Sequence, residues 1–128
     1  MAGVSKGAAG EVIAARFLRE KGYMILTANY RCRQGEIDIL AADRSYIVFV
    51  EVKTRCEGAL YAPREAVTAA KRRRILTTAM LYLSRHPSEL QPRFDVVEVV
   101  TKPNAPLEAV EINHISGAFE AGDLDAAF

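Results

Sequence analysis

The run Tyr46-Ile47-Val48-Phe49-Val50-Glu51-Val52-Lys53 is apolar at nearly every position, the pattern of a central strand covered on both faces. Two charges interrupt it. Side chains alternate along a strand, so Glu51 and Lys53 share a face with Ile47 and Phe49, and Val48, Val50 and Val52 occupy the other. A buried, isolated charge costs several kcal/mol. Glu51 and Lys53 therefore must be paired or must face a cleft.

The neighbouring run Glu36-Ile37-Asp38-Ile39-Leu40 places Glu36 and Asp38 on one face, with Ile37 and Ile39 opposite. A hairpin turning at Arg44-Ser45 brings Asp38 directly across from Glu51. Opposed side chains of an antiparallel pair have Cβ atoms about 4.5–5.5 Å apart. Two carboxylates at that separation repel unless one is protonated or a cation lies between them. Mg²⁺ suits the geometry, because it takes one or two carboxylates together with waters and a phosphate oxygen. Lys53, one pleat beyond Glu51, is placed to reach a phosphate oxygen or a water. The combination points to phosphodiester hydrolysis, although a small-molecule phosphatase would need the same parts.

The rest of the chain supplies the surrounding elements. Ser5–Lys21 reads as a helix with Ser5 as N-cap and Gly22 as terminator. Within it, Glu11 falls on the same side as Ala14, Ala15 and Leu18 and so points toward the sheet. It is either neutralised by a base such as Arg16 or Arg19 or joins the metal cluster as a further ligand. Strands are expected at Tyr23–Tyr30, Glu36–Ala42 and Tyr46–Thr54. Cys56–Ala62 reads as a loop, and Pro63 opens a second helix that runs to about Arg85 with Leu76, Ala79, Met80 and Leu83 on its apolar stripe. Arg93–Thr101 is a further strand, and Leu107–Ile115 is another beyond the Lys102-Pro103-Asn104 break. The order α-β-β-β-α-β, with a helix crossing between strands, predicts an α/β sandwich with a mixed sheet. Ser116–Phe128 is expected to be a short docked turn followed by fraying.

With 128 residues the chain is one domain's worth. Residues 1–119 are assigned to that domain and 120–128 to an acidic C-terminal tail. The net charge of +1 averages an uneven distribution: residues 101–128 hold Lys102 against Glu108, Glu111, Glu120, Asp123 and Asp125. The preceding hundred residues are net basic. Cys32 and Cys56 form neither a disulfide framework nor a zinc motif, and no apolar run approaches a membrane span. A reduced, cytoplasmic setting is expected. His86 and His114 lack metal-ligand spacing and read as structural residues. No Gly-rich phosphate loop precedes a helix, so no nucleotide cofactor is expected.

Asp38 followed by Glu51-Val52-Lys53 resembles the D…(D/E)-x-K core of the restriction-endonuclease-like nuclease superfamily, with Ile37 where its proline often stands. The wider set is more specific. Gly35–Ala41 (GEIDILA), Val48–Arg55 (VFVEVKTR), Arg93–Val97 (RFDVV), Gly10-Glu11 and Gly22-Tyr23 resemble the YraN-like bacterial family over about residues 5–119. The core is similar to that of archaeal-type Holliday junction resolvases. The resemblance implies a restriction-endonuclease-like fold and an endonuclease activity dependent on Mg²⁺ or Mn²⁺. Asp38, Glu51 and the Val52 carbonyl become metal ligands, Lys53 positions or activates the attacking water, and Glu11 matches the acid of the first helix. It also allows a homodimer, since junction-cutting relatives pair two active sites.

DNA, branched or single-stranded, is the expected partner. Arg31, Arg33 and Arg55 flank the acid-bearing strands and offer phosphate contacts that carry affinity without sequence information. In Lys71-Arg72-Arg73-Arg74, Lys71 and Arg72 are the candidate nucleic-acid contacts; Arg72 and Arg73 flank the line of Leu76 and Ala69, whereas Lys71 and Arg74 point away. Lys71 is singled out by the resemblance alone. Tyr30 and Tyr61 are candidates for base stacking. No base-reading helix-turn-helix or zinc finger is present, so recognition of nucleic-acid shape is expected. The alternative is a nucleic-acid-binding or assembly module with this fold and no catalysis.

Overall fold

The computed structural model describes residues 6–58 and 67–120. The expected Ser5 cap, most of the Cys56–Ala62 loop, Pro63, Tyr61 and nearly all of the acidic tail lie outside these residues. Seven elements follow one another: α1 (Lys6–Glu20), β1 (Met24–Cys32), β2 (Gly35–Ala42), β3 (Tyr46–Cys56), α2 (Ala69–Arg85), β4 (Gln91–Lys102) and β5 (Ala105–Phe119). The strands form one mixed sheet in the order β1-β2-β3-β4-β5. Only β3 and β4 run parallel, joined by the α2 crossover; the other pairs are antiparallel. This is the α/β sandwich expected from the element order, with the Leu107–Ile115 strand present and longer.

α1 stops where glycine permits it. Gly22 takes φ 100°, its N–H bonds Arg19 O and the next N–H, of Tyr23, bonds Leu18 O. This pair of bonds satisfies the last helical carbonyls and turns the chain into β1. At the other end of α1, Gly10 lies so close to β3 that a Cβ would collide with Thr54 Oγ1.

α2 begins at Ala69, six residues beyond the expected start at Pro63. Val67 and Thr68 are not helical. Thr68 is the N-cap, its side chain accepting from Lys71 N at 3.2 Å, which places the helix start at a residue type that satisfies a free amide. The apolar stripe is also rotated from expectation. Ile75, Leu76 and Ala79 are buried and Tyr82 and Leu83 pack beside them, whereas Met80 is 72% exposed.

Each face of the sheet carries its own core. α1 lays Ile13, Ala14 and Leu18 on Ile39, Ala41, Val48, Val50, Val97 and Val99. α2 covers Leu40, Ile47, Phe49, Phe94, Val96 and Phe119. Phe49, Phe94 and Phe119 stack in succession, with centroids 5.4 and 5.3 Å apart. Apolar burial on this scale, at about 25 cal/mol per Å², is what holds both layers on the sheet. The expected turn at Ser116 is instead the end of β5: Gly117, at φ 61°, bends the strand and Phe119 reaches the α2-side core.

Candidate active site

β2 and β3 keep the expected register from Ala42–Ile47 to Ile39–Val50, and there the ladder ends. The next step would set Asp38 against Glu51. Instead, Asp38 Oδ2 accepts the Val52 N–H at 2.8 Å, so a side chain takes over the acceptor role of a strand carbonyl. Ile37 leaves the face it was expected to share with Ile39 and packs in the α2-side core. The strands part, and a cleft of about 340 Å³ opens between them and the first turns of both helices.

Glu11, Asp38, Glu51, Val52, Lys53 and Lys71 all line this cleft, together with Arg74 and Glu36. The candidate catalytic and metal-binding residues are therefore brought together. Asp38 is 7% and Glu51 5% exposed. Burial, followed by the charge of the neighbouring Glu51, pushes the Asp38 carboxyl up to about 7 against the pull of the Val52 N–H. Burial also raises Glu11, against a hydrogen bond from Asn29. Glu11 thus belongs to the acid cluster; its charged neighbours include Glu36, Arg31 and Glu51.

Two ammonium groups answer these acids. Lys71 Nζ is 2.5 Å and Lys53 Nζ 3.4 Å from Glu51 Oε1. Burial and the adjacent Lys71 hold Lys53 below the usual lysine range. For Lys71, burial pulls downward, but its bonds to Glu51 and Lys53 outweigh it and the net shift is upward.

The basic rim differs from expectation. Lys71 and Arg74 do not point away; both face the cleft. Arg72 turns to the other side, its Nε donating to Val67 O at 3.2 Å and its guanidinium lying 5.8 Å from the Phe119 ring centroid. Arg55 is also withdrawn: it is 3.4 Å from Glu98 Oε1 and mostly buried. Arg31 and Arg33 are exposed where β1 turns into β2, and Arg31 bonds Glu36 at 2.8 Å. Tyr30 packs edge-on to Tyr82 at 5.2 Å in the α2-side core, which removes it as a stacking platform.

Among the described residues no three His, Cys, Asp or Glu side chains converge as a ready-made ligand cage. The pair Asp38 and Glu51, buried and mutually repelling, is the sparser donor set that Mg²⁺ accepts when water completes its shell. Its oxygen chemistry fits Mg²⁺ or Mn²⁺.

A second charged cluster lies on the α1 face. Arg93 grips Asp95 with two bonds, Nε to Oδ1 at 2.9 Å and Nη2 to Oδ2 at 2.8 Å. His114 Nε2 bonds Oδ2 at 2.6 Å and Gly117 N–H bonds Oδ1 at 2.9 Å. Arg93 also donates to Tyr23 OH at 2.6 Å, and Lys21 to His114 Nδ1 at 2.8 Å. Only the RFDVV segment signalled it, and that without a role.

Among the described residues no helix is long and apolar enough to cross a membrane. Comparison with known proteins places the chain among relatives of matching length. It is 51% identical over 116 residues to a UPF0102 protein of Symbiobacterium thermophilum, covering 90% of this chain and 96% of the relative. A UPF0102 protein of Caldanaerobacter subterraneus subsp. tengcongensis is 45% identical over 114 residues, covering 88% and 93%. One from Lachnoclostridium phytofermentans is 46% identical over 118 residues, covering 91% and 93%. The model of the uncharacterised protein family UPF0102 matches residues 10–99, a span that includes Glu11, Asp38, Glu51, Lys53 and Lys71. The chain belongs to the UPF0102 family.

Proposed function

We propose that this protein is a divalent-metal-dependent nuclease of the restriction-endonuclease-like superfamily that hydrolyses phosphodiester bonds in DNA. The observation that carries the reading is the meeting of Asp38, Glu51 and Lys53, with Glu11, in one cleft at the point where β2 and β3 part. Asp38, Glu51 and the Val52 carbonyl would hold Mg²⁺ or Mn²⁺, which lowers the pKa of water and offsets charge at the scissile phosphate.

The chain's own groups do the remaining work. The Val52 N–H fixes the Asp38 carboxylate beside Glu51 at the wall of the cleft. Lys53, two residues beyond Glu51 on β3 and lining the same cleft, is placed to orient or activate the attacking water. Glu11 adds negative charge on the α1 side. Lys71 and Arg74, with Arg31 and Arg33 at the exposed turn, offer phosphate contacts along the cleft, which set affinity and leave sequence unread. The proposed substrate is branched or single-stranded DNA.

Purified protein incubated with branched, flapped and single-stranded DNA in Mg²⁺ or Mn²⁺ should cut at least one of them. Asp38→Ala and Glu51→Ala should lose more than the about 10–100-fold typical of removing a group that merely supports a metal ligand. Cleavage that survives both substitutions, or no cleavage of any substrate, would leave the competing reading of a binding or assembly module with the nuclease fold.

A further inference from the structure

Glu51 Oε1 is crowded. It is one acceptor with two ammonium partners, on a carboxylate that is 5% exposed and that a divalent ion beside Asp38 would also draw on. The two lysines are not equivalent. Lys53 leaves the rigid strand two residues beyond Glu51, and its side chain is 17% exposed. Lys71 reaches in from the first turn of α2, makes the shorter contact, and keeps 32% of its side chain exposed. A four-carbon stem with that exposure can swing toward the cleft mouth without unpacking a core.

We propose that Lys71 is the resident counter-ion of the acid site, displaced from Glu51 by a divalent cation and transferred to a phosphate oxygen of the substrate. The proposal rests on the metal-dependent reading above. A divalent ion and an ammonium at one buried carboxylate repel, and the doubly charged ion interacts more strongly with Asp38, Glu51 and Glu11 together than one ammonium does. Arg74 and Lys53, the other cations of the cleft, add to the pressure that sends Lys71 outward. Because a phosphate that captures Lys71 also frees Glu51, substrate and metal must raise each other's affinity by the same factor. Lys71 is in this sense a positioning residue for metal loading.

Calorimetric titration of Mn²⁺ into the DNA-free protein tests this directly. Lys71→Met should bind Mn²⁺ at least about tenfold tighter than wild type. Lys71→Arg, which keeps a cation, should bind like wild type. With non-cleaving Ca²⁺ present, Lys71→Met should bind branched DNA more weakly, and DNA should strengthen its metal binding less than it does in wild type. A measurement on the unmutated protein avoids any folding defect: ¹³C-methyl labelling of the lysine amines should show the Lys71 signal moving to a solvent-like position as Mg²⁺ is added. Wild type that binds Mn²⁺ while Lys71→Met binds it equally or more weakly, or a Lys71 signal indifferent to Mg²⁺, overturns the displacement and leaves the nuclease reading intact. Wild type and variant that both fail to bind any divalent ion overturn the nuclease reading and this proposal with it.

Discussion

Two charged clusters bury a carboxylate, one on the α1 face of the sheet and one in the cleft where β2 and β3 part, and they treat it in opposite ways. On the α1 face, Asp95 is fully buried and both its oxygens accept two bonds, from Arg93, His114 and Gly117. Burial alone would raise its pKa, but the bonds from His114, Arg93 and Gly117 hold the carboxyl at about 2. In the cleft where β2 and β3 part, Asp38 has one backbone bond, a carboxylate neighbour that shares a hydrogen bond with it and a pKa pushed up to about 7. A buried charge whose acceptors are filled holds a structure together; one whose acceptors are left open waits for a ligand. The first cluster ties α1's end, through Lys21 and Tyr23, to β4 and β5. The second stands where the sheet splits.

The sharpest way to break this contrast is to remove each carboxylate's charge in turn. Asp95→Asn leaves Arg93 facing a neutral amide inside the protein, and breaking a buried pair from one side costs about 3–5 kcal/mol. Asp38→Asn instead removes a repulsion and should leave the metal-free protein as stable as wild type or more so above neutral pH. Urea denaturation measures both. Equal destabilisation by the two substitutions would mean that the acid cleft is a structural pair like the other.

The pH dependence separates the two clusters further, with opposite signs. Asp95 titrates at about 2 when folded and about 3.9 when unfolded, so its contribution is complete above the unfolded value and is lost as pH falls from about 4 to 2. The loss is roughly 2–3 kcal/mol. Asp38 binds its proton more tightly in the folded protein, with a value of about 7. Its ionisation therefore opposes folding, and stability falls as pH rises from about 4 to 7. Asp95→Asn should flatten the acid limb, Asp38→Asn the neutral limb, and saturating Mn²⁺ should flatten the neutral limb of wild type.

The two clusters were also unequally legible. The acid pair could be read because its parts are close in sequence: alternation fixes the faces, and one turn at Arg44-Ser45 fixes the register. Even there, the parting of the strands at Asp38 depends on a side chain taking a backbone role, which no periodicity reports. The Asp95 cluster joins residues 70 and 93 positions apart, Arg93 to Tyr23 and Lys21 to His114, and no local pattern encodes such a meeting. The basic run on α2 failed for a subtler reason. Helical spacing gives relative directions, but which side faces the cleft depends on how the whole helix is rotated on the sheet. That rotation is set by Ile75, Leu76 and Ala79, and it turned Lys71 and Arg74 inward and Arg72 toward Phe119.

The smallest expected effect tests whether the two clusters are mechanically independent, since α1 touches both. Gly10 sits one residue before Glu11, against Thr54, while Lys21 and Phe17 meet His114 at the helix's other end. A methyl group at Gly10 must lift the first turns of α1 or displace Thr54, and overpacking of this kind costs about 1–3 kcal/mol. The C-terminal turns are held by the Asp95 cluster, so the helix should pivot there. Gly10→Ala should then weaken Mn²⁺ binding by moving Glu11, while the acid limb of the stability profile, which belongs to Asp95, keeps its wild-type shape. A change in that limb would mean that α1 moves as a rigid rod and that the two clusters are coupled through it.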